Sequence, residues 1–164
     1  MIDERRDELR RTYLSLGFGE LVAAAVFAGV ATTAVVPRLG DPDDRFALWS
    51  ALIPLLVVLV QAGLYWLAAR TWVCRRTMPV GLAAVYSVFR VLDPVLLVAG
   101  LVGVLVWWPS APWAAVLVLG VWSFGVVEYV NYFVVRLAYP LGEIRKIIER
   151  RTPRLITDLR AALQ

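Results

Sequence analysis

The chain contains no histidine and only one cysteine, Cys74. The first absence removes the commonest general base and a leading metal ligand. The second leaves no intrachain disulfide and no thiolate cluster. Charge is scarce as well: Asp, Glu, Lys and Arg make up 18% of the residues, against about 25% in soluble domains. No serine is paired with a plausible base, and no run of ligands has metal-site spacing. The expectation is a protein that is not an enzyme, with no catalytic residue, no metal and no cofactor.

What fills the space is apolar. Hydrophobic residues account for 60% of the chain, and the mean hydropathy is +0.71. This composition points to an integral membrane protein. With 164 residues, one compact bundle is expected. The formal charge of +4 reflects topology and lipid headgroups in such a protein, so no nucleic acid partner is inferred.

Crossing the hydrocarbon takes about 20 apolar residues, and four segments qualify: 16–36, 46–67, 80–108 and 114–137. The first follows MIDERRDELRR; it is too long for a signal-peptide core and lacks a convincing cleavage site, so it reads as a retained helix. PRLGDPDDR and WWPSAPW supply short turns. Connections this short predict an antiparallel four-helix transmembrane bundle over 1–140. The DPDD run lacks the spacing of a calcium loop and reads as solvated turn chemistry.

The arginines set the orientation. One side collects Arg5, Arg6, Arg10 and Arg11, then Arg70, Arg75 and Arg76, then the basic tail; the other has Arg38 and Arg45, diluted by Asp41, Asp43 and Asp44. Both termini are therefore expected in the cytoplasm, and the protein in the plasma membrane, here read as a bacterial inner membrane. The tail, 141–164, is amphipathic and basic. Ile144, Ile147 and Ile148 share one face, and beyond Thr152-Pro153 so do Leu155, Ile156, Leu159 and Leu163. Two short helices are expected, with the threonine as cap. The stripe suits either an anionic inner leaflet or the cytoplasmic end of a bundle.

Polar residues inside the spans carry the functional argument. Gln61, Arg90, Asp93, Glu128 and Asn131 all fall about 9–20 Å from the basic side at 1.5 Å per residue, and Glu20 lies about 6 Å in. Tyr86, Arg90 and Asp93 sit at i, i+4 and i+7, one helix face, where Arg90 and Asp93 are expected to pair. Ionisable groups at such depth cost a few kcal/mol each and face the bundle interior. Contacts between polar groups on membrane helices return only about 0.6 kcal/mol on average, so stability alone does not explain the set. One arginine cannot neutralise three carboxylates, so a proton or a cation must enter. Pro94 frees the Arg90 carbonyl, and the rings of Tyr86 and Tyr132 share faces with the charged groups, where Trp66 and Phe133 read as interface markers. The ligand- or proton-binding set is thus Arg90, Asp93, Glu128, Asn131, Gln61, Tyr86, Tyr132 and Glu20.

Along the first span, Gly17, Glu20, Ala24, Ala28 and Thr32 form a stripe of mostly small residues that allows close helix approach, within one chain or between copies. The functional expectation is a proton- or cation-responsive carrier or conduction subunit. A thin four-span bundle favours a homodimer or larger assembly. The alternative is a non-catalytic assembly subunit whose polar band docks another membrane protein.

Overall fold

The computed structural model describes residues 2–73, 77–135 and 152–163. Cys74, Arg75 and Arg76, and the first half of the tail with Ile144, Ile147 and Ile148, lie outside the described residues. Five α-helices account for most of the rest: α1 (Ile2–Val30), α2 (Pro42–Ala69), α3 (Val80–Val106), α4 (Pro112–Phe133) and α5 (Arg154–Leu163), with no strand among the described residues. The helical stretches Arg6–Arg38, Pro42–Ala69, Val80–Val106 and Pro112–Phe133 are long and apolar enough to cross a membrane. The chain is a multi-pass membrane protein.

Element boundaries follow local chemistry. α1 begins well before residue 16 because the Glu- and Arg-rich start has good helix formers and no breaker. Its far end loosens into a π turn, Ala31–Val35, and a 3-10 turn, Val36–Arg38. Thr32 and Thr33 sit in the π turn, and their hydroxyls donate back to Ala28 and Gly29 at 2.8 and 2.7 Å, which competes with the regular ladder. α2 starts at Pro42 because Asp41 caps it, accepting from the Asp43 amide at 3.0 Å with proline in the first turn.

α2 is the axis of the bundle and packs on α1, α3 and α4. Of its most apolar window 61% is buried, against 17–28% for the other three spans, so those three carry the outer surface. Glycine permits the closest approaches. A Cβ on Gly63 would lie 2.8 Å from the Leu21 side chain, and one on Gly17 as close to Leu67, so α1 meets α2 at Gly17 and Gly63 within the chain. A Cβ on Gly100 would fall 2.5 Å from the Ser50 carbonyl, which locks α3 on α2.

Two apolar clusters make up the interior. One gathers Leu48, Leu52, Leu55, Val104, Ala114 and Val118. The other gathers Tyr13, Tyr65, Trp72, Tyr86 and Phe133 with Leu155, Ile156 and Leu159 of α5. Those three members of the α5 stripe are thereby spent on the chain's own bundle, while Leu163 stays exposed. Outside, α3 presents Val88, Val91, Val95 and Val98, each 58–68% exposed, a stripe suited to lipid.

Candidate functional site

The seam between the two clusters holds buried polar groups. Gln61 follows Leu59 of the first cluster and precedes Ala62 of the second; Asp93 lies on α3 between Tyr86 and Val104. Both are almost wholly buried, at 4% and 1% exposure. The Gln61 side-chain amide donates to one carboxylate oxygen of Asp93. The Tyr86 hydroxyl donates to the Gln61 backbone carbonyl at 2.8 Å. Asp93 Oδ1 and Gln61 Oε1 are buried with no hydrogen-bond partner among the described residues.

The chemistry of this pair is specific. A carboxylate facing only a neutral amide keeps its charge uncompensated in a poorly solvated place, which is costly. Two species relieve the cost. A proton on the carboxyl can bridge to the carboxamide oxygen once the amide is turned, since its O and N positions interchange. A cation can instead be held by the carboxylate and the carboxamide oxygen together.

A second constellation lies where α1, α2 and α4 meet. Trp66 Nε1 donates to the Tyr132 hydroxyl at 3.2 Å, and that hydroxyl donates to Glu20 Oε1 at 2.5 Å. Asn131 bonds the Glu128 carboxylate, and Glu20 lies near enough to repel it. Glu20, Asn131, Tyr132 and Trp66 line a cavity of about 120 Å³, closed on the other side by Pro153, Arg154 and Leu155 at the start of α5. Glu20, Glu128 and Asn131 are half-buried.

The predicted residues are thus grouped in two places. Gln61, Tyr86 and Asp93 come together between α2 and α3; Glu20, Glu128, Asn131 and Tyr132 come together around α1 and α4. Arg90 joins neither through its side chain. It is exposed and forms no ion pair with Asp93 among the described residues, so the expected Arg90–Asp93 pair is replaced by Gln61–Asp93. Its backbone does take part: the carbonyl freed by Pro94 accepts from the Tyr129 hydroxyl at 3.1 Å. Trp66, read from the sequence as an interface marker, is a hydrogen-bond donor inside the second constellation.

Sequence reasoning missed the anchor of α5. Asp158, only 7% exposed, accepts from Tyr65 at 2.9 Å and from Trp72 at 3.1 Å, and pairs with Arg154 at 2.9 Å. Burial works most strongly against the Arg154 charge, but Asp158, Tyr13 and Tyr65 together outweigh it and hold the guanidinium above its ordinary range. The detectable signal was an acid inside the apolar arc of the tail, opposite two aromatic donors at the end of the second span. At the far turns, Asp44 is buried and accepts from the Ser110 amide at 2.8 Å. Among the described residues no group of Asp, Glu, Cys and His is arranged to hold a metal ion.

Between α2 and α3 runs an apolar groove of about 670 Å³, with Gln61 and Tyr86 at its floor. Val60, Leu64 and Val85 on its walls are 40–52% exposed. It opens on the outer surface of the bundle beside the Gln61–Asp93 pair. No protein-family model, curated protein or solved structure matches the chain.

Proposed function

We propose that the chain is a small carrier or conduction subunit that responds to a proton or a cation at Asp93. The carrying observation is the buried Gln61–Asp93 pair, with one carboxylate and one carboxamide oxygen lacking a donor, and no basic side chain bonded to the acid, among the described residues. A group like this is expensive to hold inside a membrane and returns little as structure. Function is the better reason for it. The carboxylates Glu20 and Glu128 offer a second station, and the apolar groove over Gln61 offers a lateral way in.

The same reading takes the spans as antiparallel with both termini in the cytoplasm, the tail as an amphipathic segment at the inner face of a plasma membrane, and the working unit as a homodimer or larger. The alternative is an assembly subunit that docks another membrane protein through its polar residues. The burial of Gln61, Asp93 and Tyr86 within a single chain favours the carrier.

The test is flux in proteoliposomes made with the purified protein, followed with a pH-sensitive dye and with monovalent cation indicators. Asp93→Asn should fold normally, because the new amide can donate to the Gln61 oxygen, yet lose all pH- or cation-dependent flux. If wild type and Asp93→Asn give the same flux, or neither exceeds empty vesicles, the carrier reading fails and the assembly role takes its place.

A further inference from the structure

α3 and α5 meet at a cleft that neither constellation uses. It has a volume of about 270 Å³ and is lined by Ser87 and Arg90 of α3 and by Ile156, Leu159, Arg160 and Leu163 of α5. Arg90 and Arg160 are both exposed, and neither forms an ion pair among the described residues. Bringing two guanidiniums to one cleft is unfavourable unless an anion lies between them. Arg90 is exposed on a helix that is long and apolar enough to cross a membrane. An arginine in such a helix is costly without an anionic partner.

The cleft continues into a second, apolar groove of about 500 Å³ along α3, lined by Ser87, Val88, Val91, Leu92 and Val95. Ser87 belongs to both. Its hydroxyl already donates to the Ala83 carbonyl at 2.8 Å, so it contributes room and leaves anion recognition to the arginines. Planar guanidiniums match phosphate oxygens in pairs. A free anion would use the first cleft and leave the valine groove unfilled.

We infer that this junction binds one anionic glycerophospholipid, its phosphate between Arg90 and Arg160 and one acyl chain along Val88, Val91 and Val95. The site needs both helices, since α3 supplies one cation and the chain groove while α5 supplies the other cation and an apolar floor. Seating α5 on the bundle therefore completes the lipid site. This assignment stands independently of any flux through the protein.

Native mass spectrometry of the full chain in non-ionic detergent, with added dioleoyl phosphatidylglycerol, reads the site directly. One lipid should bind each chain more tightly than any later ones. Arg90→Gln/Arg160→Gln should weaken that binding about 25-fold, about fivefold for each guanidinium, while Arg90→Lys/Arg160→Lys should retain most of it. Val91→Trp/Val95→Trp keeps both arginines and fills the groove, so it should also lose the tight lipid. Dioleoyl phosphatidylcholine should not compete, and inorganic phosphate should not displace the bound lipid. Equal binding of phosphatidylcholine, or of the glutamine pair, would reduce the site to ordinary annular contact and overturn the inference. Displacement by inorganic phosphate alone would assign the cleft to a free anion, which also overturns it.

Discussion

Asp93 and Gln61 show how one polar contact can hold two helices while leaving both partners under-satisfied. The amide nitrogen meets one carboxylate oxygen, and the remaining oxygens of both groups have no donor among the described residues. Removing only the amide should therefore hurt more than removing both groups. Gln61→Leu leaves a buried carboxylate without its donor and should cost about 1–3 kcal/mol, whereas Gln61→Leu/Asp93→Leu should approach neutrality. Unfolding of both variants in mixed micelles measures the difference; equal losses would mean that the pair contributes nothing as a pair. Arg90 stands apart at this scale because its long side chain reaches the cleft with α5. At about 100° per residue it lies only about 40° from Tyr86 around α3, near the buried Ala83, so length and not angle carries its guanidinium outward.

At the scale of elements, α5 is the part with the least intrinsic reason to be ordered. It is ten residues long, shorter than an isolated helix sustains in water. Its order rests on Leu155, Ile156 and Leu159 in the core and on Asp158 against Tyr65 and Trp72. Asp158→Ala leaves two buried donors without an acceptor and should cost about 1–3 kcal/mol for each, enough to release α5 while the spans stay folded. Hydrogen exchange across 154–163 should then rise toward that of a free peptide, with the cores of α2 and α3 unchanged. Unaltered protection of α5 would show that its apolar stripe suffices. The raised pKa of Arg154 keeps its contribution in force at any pH below its unfolded value and loses it only as pH climbs through the folded one, so alkali in the ordinary range should not release α5 through this residue. The spans were legible in the sequence because length and apolarity alone define them. That Gln61 and Asp93 lie at one level was legible too, since rise per residue is fixed, and the two are bonded. Which groups bond across helices was not, because that depends on the rotation of each helix about its axis. Those rotations are set by approaches such as Gly63 on Leu21 and Gly100 on Ser50, and by Trp122 donating to the Leu97 carbonyl at 2.8 Å.

For the whole molecule, the open question is which way the bundle faces, and two tethers bear on it. Asp44, at the start of α2, is bonded to Ser110, just before α4, so the turns at 39–41 and 107–111 lie together. Asp158 bonded to Tyr65 and Trp72 ties α5 to the opposite end of α2. The charges divide along the same line. Arg10, Arg11, Arg70, Arg154 and Arg160 belong to the α5 side, while Arg38 and Arg45 share the other with Asp41, Asp43 and Asp44. Basic residues in short loops are retained in the cytoplasm, and acids count for little in that choice. The α5 side should therefore be cytoplasmic, where the inner leaflet also supplies the anionic lipid that Arg90 and Arg160 call for. Labelling with a membrane-impermeant maleimide in intact cells decides it. Single cysteines at Asp43 or Ser110 in a Cys74→Ser background should react from outside, and the native Cys74 should react only after permeabilisation. Reaction of Cys74 in intact cells, with Ser110→Cys protected, would invert the molecule and put its lipid cleft against the outer leaflet.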